Sequence, residues 1–397
     1  KIAEKGDVLN IEIENIYIGD LLYDSFLVKE NKPTIDVNSN EFKIFCFDFL
    51  KLFFFWNNYF KKNYKNMKAT IVSHDVYYHA LPLRFALKFK IPCYHVAQRN
   101  IYCFDNKKIR KKTAYEEFPI NFNNLADEVK KKGLLEAEKL IYNKFKGNLT
   151  FDSMNVINQY QYKKENRKEI TSLKNKNNIL VATHCFTDAV HAYGESLFPD
   201  FYEWLMFLGH KSKKTNYKWL LKAHPSQYKN NYDFLKFFEN KFENFILIPN
   251  DVSNLVLIDK IFSVLTVYGS VGHEYPLFDI PVINASINNP HSAYKFNFHA
   301  KTIEEYSELI DKVDILKVSA NDHKKSIFEY YYLNYLRDYN VFNDYLEILN
   351  KLGSRYSEPD IFEEWINEYS YKKKIDIDQN FDRFINQNTH RLYALDK

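Results

Sequence analysis

Short apolar runs alternate with longer stretches of helical spacing along the chain, the pattern of parallel α/β units. Ile11 to Ile18 alternates apolar and polar residues and predicts a strand ending at Gly19-Asp20. Phe42 to Phe60 predicts a long aromatic helix. Ala69 to Val72 predicts a short buried strand that ends in Ser73-His74-Asp75, a helix follows from Leu81 to Lys90, and Cys93 to Ala97 predicts the next strand. A strand-helix-strand unit of this spacing carries its functional residues at the carboxyl ends of its strands.

The pattern then breaks. Tyr160 to Asn178 is dense in Lys, Glu and Asn with little apolar content, the composition of an exposed helix or linker, and the domain boundary is placed there. Beyond it the strand-helix alternation restarts. Asn178 to Ala182, Trp219 to Lys222, Phe245 to Ile248, Ile261 to Val267 and Pro281 to Ile283 predict five strands, with a helix over Phe201 to Leu208. From about Asn321 the chain reads as helical. The expected organisation is an α/β fold of two doubly wound domains, residues 1–165 and 166–320, facing a cleft, with a helical extension over 321–397.

Composition narrows the function classes. A chain of 397 residues is too long for one compact core and suits two. The net charge of +4 is far too small to point to nucleic acid. Aromatic residues reach 17%, which fits either a carbohydrate-handling surface or the joint abundance of Lys, Asn, Phe, Tyr and Ile. Cys46, Cys93, Cys103 and Cys185 form no CxxC pair, so no disulfide framework or zinc ribbon is implied, and a reducing, cytoplasmic compartment is expected. The best apolar window, Phe42 to Phe60, is interrupted by Lys43, Asp48 and Lys51, so it reads as a buried or interfacial helix rather than a span of ~20 residues. The chain opens on Lys1, not Met, as a fragment trimmed at its N-terminus would, so the question of a signal segment stays open.

Candidate chemistry gathers at predicted strand ends. Thr266-Val-Tyr-Gly-Ser-Val-Gly-His-Glu274 runs from a strand into a turn holding Gly269, Ser270 and Gly272, with a helix expected to begin there and carry His273 and Glu274. Such a turn suits a phosphate, though Gly and Ser also populate ordinary strand-to-helix turns. Trp219-Leu-Leu-Lys-Ala-His-Pro225 sets Lys222 and His224 at another strand end, with Pro225 fixing the turn, and both side chains can serve a phosphate. His184, Asp188, His191 and Glu195 follow the first strand of this half. The two His are seven apart and no HExxH or DxD pattern occurs, so contact with donor or acceptor is expected there and no metal. In the first half, His74 and Asp75 are the candidate general bases, with Asp75 alternatively a helix cap. No P-loop, GxGxxG or GxSxG elbow is present.

At Lys222-Ala-His224-Pro225, at Gly269-Ser270 with Glu274, and at Pro281-Val-Ile-Asn-Ala285, the sequence resembles the GT-B glycosyltransferases of bacterial capsule and lipopolysaccharide assembly, including the Kdo and sialic acid transferases. It is more distantly similar to the CDP-glycerol polymerases. Asp279 stands where those families usually have Gly, and the acidic catalytic motif of the sialyltransferases has no clear counterpart. The resemblance runs over Ile179 to Ala285. It implies metal-independent transfer from a nucleotide-sugar, a CMP-activated one among the candidates, to a growing glycan, with no separate cofactor. It further implies that His224 and Ser270 hold the donor phosphate, that Glu274 holds the ribose, and that Pro249 to Asn254 lies beside the base. The partners implied are that donor and a glycan or lipid-linked glycan acceptor, with no nucleic acid. Such acceptors suggest peripheral membrane association, although no amphipathic basic helix is read for it. The rivals are a polyol-phosphate transferase, a non-catalytic polysaccharide-assembly subunit and a sugar-nucleotide epimerase.

Overall fold

The computed structural model describes residues 3–96, 101–105, 115–145, 173, 176–224, 229–250, 252–337, 379–386 and 391–392. Ala97, Pro225, Asp251, most of the linker before Asn178 and most of the extension after Asn321 lie outside the described residues.

The first half opens with α1 (Lys5–Leu9), β1 (Glu12–Ile13) and β2 (Ile16–Tyr17). The single strand expected over Ile11 to Ile18 is thus a tight antiparallel hairpin. Glu14 and Asn15 take φ of 50° and 60°, and two consecutive positive φ values reverse the chain with the twist a two-residue hairpin needs. Next come α2 (Gly19–Glu30), α3 (Asn40–Asn63), β3 (Thr70–Val72), α4 (Leu81–Lys88), β4 (Cys93–Val96), β5 (Ile101–Cys103), α5 (Phe118–Asn123) and α6 (Asp127–Phe145). β3 and β4 pair in parallel, as the strand-helix-strand pattern requires, and β5 adds an antiparallel edge.

The second half holds β6 (Asn178–Ala182), α7 (Phe201–Ser212), β7 (Lys218–Lys222), α8 (Lys229–Lys241), β8 (Phe245–Ile248), α9 (Asn254–Leu257) and β9 (Ile261–Thr266). It continues through α10 (Val271–Glu274), β10 (Val282–Asn284), β11 (Phe298–His299), α11 (Ile303–Asp311) and α12 (Ala320–Tyr331). The sheet has six strands in the order β11-β10-β9-β6-β7-β8, every pair parallel. Counted from β6 as one, this is the 3-2-1-4-5-6 order of a doubly wound dinucleotide-type domain. The sixth strand, only two residues long, carries too little alternation to be read in sequence. Asp279, at the position where Gly is customary, takes φ of 59°, which Asp tolerates better than most residues. Its Oδ1 accepts the Ala320 amide at 2.8 Å.

The halves share one core. Phe26, Phe42, Phe53 and Phe85 pack in the same cluster as Trp204, Trp219 and Leu265. Polar contacts cross the seam as well: Tyr23 Oη donates to Asp200 Oδ2 at 2.5 Å, and Asp24 faces His191 with 2.6 Å between Oδ1 and Nδ1. α12 turns back onto α5 and α6, where Tyr330 to Leu333 join Phe118, Phe122, Ala137 and Ile141 in a second cluster.

Candidate functional site

In a sheet of this order the crevice lies where the winding reverses, at the carboxyl ends of β6 and β9. There the side chain of His184, just past β6, meets the end of β9. The Tyr268 amide donates to His184 Nε2 at 3.3 Å, so that nitrogen accepts and the ring proton sits on Nδ1. Thr266 Oγ1 lies 3.2 Å from the same nitrogen and accepts the Gly269 amide at 3.3 Å. Phe201 stacks on the His184 ring at 4.7 Å between centroids. Burial, with His224 nearby, holds His184 down to about 3, so it is a neutral hydrogen-bonding group at physiological pH. Gly269 is required sterically, because a Cβ there would stand 2.9 Å from Thr266 Oγ1. Ser270 is exposed beside it.

His224 extends past β7, which Thr183 ties to β6 through hydrogen bonds from its amide and its hydroxyl to the Lys222 carbonyl. Burial lowers His224, and Asp188 pulls it back up. Asp188 in turn accepts the Tyr77 hydroxyl at 2.6 Å. Tyr77 belongs to the first half, two residues beyond Asp75. Burial and then Asp188 push the Tyr77 phenol well up, so it remains a donor. Asp75 Oδ1 lies 3.5 Å from His95 Nδ1, and His95 Nε2 reaches the Ser73 carbonyl at 3.0 Å. His74 is exposed, with Nδ1 3.0 Å from Ser73 Oγ. Contacts thus link His184 to the Gly269 turn through Thr266, and Asp188 to Tyr77, two residues beyond Asp75, with His224 close enough to His184 and Asp188 to feel both. The contacts of His74 stay within its own segment, with Ser73 and His79.

The remaining candidates point elsewhere. Lys222 shares the face of β7 with Leu220, turned from Trp219 and Leu221, because strand side chains alternate. Its ammonium donates to the Val252 carbonyl at 2.6 Å, and burial lowers it to about 8. It thereby anchors the loop expected beside the base. Gly272 faces protein, since a Cβ there would stand 2.5 Å from His291 Nδ1. His273 is buried against His291 and Tyr330, and burial holds it well below its ordinary value. Glu274 is buried and pairs with Lys144 of α6 at 3.1 Å.

Of the third segment, His191 is structural. Its Nε2 faces the Pro199 carbonyl at 3.0 Å and its Nδ1 faces Asp24, so both ring nitrogens meet acceptors. Burial alone would lower it, but the Asp24 carboxylate overcomes that and raises it. Among the described residues no group of three His, Cys, Asp or Glu is placed to hold a metal.

Sequence reasoning did not single out Thr266, Tyr77 or His95. His95 had a usable signal, since it lies one residue before the end of β4, in register with Val72 and so beside the Ser73-His74-Asp75 turn. Tyr77 had none, because its partner lies 111 residues away.

No protein-family model matches the chain, and no curated protein matches it. Among solved structures, it is similar to the β-Kdo 2,4 transferase of Thermosulfurimonas dismutans KpsC, at 10% identity over 67% of this chain and 78% of that one, with a TM-score of 0.39. The β-Kdo 2,7 transferase of the same KpsC aligns at 15% identity over 61% and 78%, with a TM-score of 0.33. The UDP-GlcNAc 2-epimerase of Neisseria meningitidis, bound to UDP-GlcNAc, aligns at 13% identity over 76% and 84%, with a TM-score of 0.27.

Proposed function

We propose that the chain is a metal-independent glycosyltransferase of GT-B type that takes its sugar from a nucleotide-activated donor. The observation that carries this reading is a neutral His184 at the β6/β9 switch point, held to the Gly269 turn through Thr266, with His224 past β7 near both His184 and the Asp188 that Tyr77 of the first half bonds. Crevices at this topological position are where doubly wound sheets bind nucleotides.

In this reading His224, Ser270 and the Gly269 turn hold the donor phosphate and stabilise the charge that grows as the glycosidic bond breaks. His184 sets the turn through Thr266 and Tyr268. Lys222 acts indirectly, holding the loop through Val252. Asp75, oriented by His95, takes the proton of the attacking hydroxyl, with Asp188 the rival base. The sequence resemblance over Ile179 to Ala285 supports a capsule or lipopolysaccharide acceptor, with a CMP-activated sugar as one candidate donor.

The test is a thermal-shift panel of CMP, CDP, UDP, GDP and their sugar conjugates on wild type, His224→Ala and Ser270→Ala. A ligand at a hundredfold over its Kd adds about 2.7 kcal/mol. One responding nucleotide, lost in both variants, supports the assignment. Silence across the panel from folded protein points instead to a non-catalytic assembly subunit, and release of a nucleoside monophosphate together with a transferred polyol phosphate points to the polyol-phosphate transferase.

A further inference from the structure

α3 is apolar on both sides. Phe42, Phe45, Phe49, Phe53 and Phe60 form its core face. At 100° per residue, Ile44, Phe47, Phe54 and Phe55 fall on the opposite face, and there they are 47% to 64% exposed. With Tyr59, 44% exposed, the stripe runs for about 22 Å along the helix. Scattered exposed apolar residues are ordinary, but an aligned row on one helix marks a surface that is covered in use.

The surrounding charge identifies the cover. The acids near the stripe are neutralised in pairs, Asp48 by Lys51 and Glu41 by Lys32. Lys43, Lys62, Lys65 and Lys68 are exposed and form no ion pair among the described residues, leaving an excess of positive charge around the aromatic row. Lys51 stands at the middle of the stripe with its ammonium over the Phe47 ring at 4.3 Å. A second copy docked by a two-fold axis through this stripe would set Lys51 against its twin, which disfavours self-association there. Among the described residues no helix is long and apolar enough to cross a bilayer.

We infer that α3 lies in the plane of an anionic bilayer, its aromatic row in the headgroup–acyl boundary and its lysines on the anionic headgroups. In sequence Phe42 to Phe60 reads as a buried or interfacial helix, and the two apolar faces of α3 let both readings hold at once. The inference is independent of the glycosyltransferase assignment.

The experiment is vesicle flotation, using phosphatidylcholine alone and an equal mixture of phosphatidylcholine and phosphatidylglycerol. Wild type should float with the mixed vesicles and not with the neutral ones, and added salt should weaken binding. The combined Phe47→Ser, Phe54→Ser, Phe55→Ser variant should keep the wild-type Tm, because these rings are outside the core, yet lose flotation. Lys62→Gln with Lys65→Gln should weaken binding about fivefold per lysine. Equal binding of wild type and the serine variant, equal binding to both vesicle types, or no binding by wild type overturns the proposal. A concentration-dependent dimer that the serine substitutions abolish, without flotation, assigns the face to a second copy instead.

Discussion

The Tyr77 hydroxyl donates to Asp188 Oδ1 at 2.6 Å, joining the end of the first half's β3 segment to the loop after β6. Tyr77 holds φ of 57° and ψ of −171°, a backbone region almost confined to glycine. A non-glycine residue there costs about 1–3 kcal/mol, maintained by surrounding contacts, and such strain gathers at functional sites. The strained residue is thus the one that bridges the two groups of candidate catalytic side chains.

Tyr77→Phe should therefore lower turnover at least tenfold while nucleotide affinity stays within twofold, since it frees Asp188 and leaves the phosphate turn untouched. Its stability cost should be only about 1 kcal/mol, because Asp188 is exposed. Steady-state kinetics beside urea unfolding separates the two effects. Turnover equal to wild type would remove Tyr77 from the site.

Gly269→Ala and Gly272→Ala should behave differently although the residues are three apart. A Cβ at 269 presses on Thr266 Oγ1 at 2.9 Å and should disrupt the turn, reducing nucleotide affinity about tenfold or more. A Cβ at 272 meets the buried His291 ring at 2.5 Å and should cost about 1–3 kcal/mol of stability, with affinity preserved. Ligand titration with thermal melts on both variants tests this; a loss of affinity confined to Gly272→Ala would reverse the assignment.

Stability should fall as pH rises above neutrality. His191 has a raised value in the fold, with Asp24 the source. A raised basic group contributes stability that is complete below its unfolded value, roughly 6.5, and is lost as pH climbs through the folded value. Asp24→Asn should remove that slope. Urea midpoints measured from pH 6 to 9 decide it, and parallel curves for both proteins would rule out the pair as the source.

Glu274→Gln should reveal whether this carboxylate serves the fold or the donor. Its partner Lys144 lies 130 residues away, and the pair is partly exposed on the lysine side. Loss of the charge should cost about 1–2 kcal/mol, less than a fully buried pair, with donor affinity nearly unchanged. A large affinity loss at unchanged Tm would instead support the ribose contact that the family resemblance implies.

What the sequence determined by itself was local. Runs such as Ile179 to Ala182 and, interrupted only by Ser263, Ile261 to Leu265 are strands because short, nearly all-apolar stretches between turn formers leave little alternative, and their spacing by helices dictates parallel pairing. From those strand ends His184, His224, Ser270 and Asp75 could be picked out as candidates, each just past a predicted strand. The tertiary structure alone decided which way each polar side chain spends its hydrogen bonds. Lys222 went to Val252, Glu274 to Lys144 and Asp24 to His191. Those partners stand 30, 130 and 167 residues away. Periodicity encodes the face a residue takes within its own element, whereas a buried charge is satisfied by whatever the packing of distant elements brings within hydrogen-bonding distance.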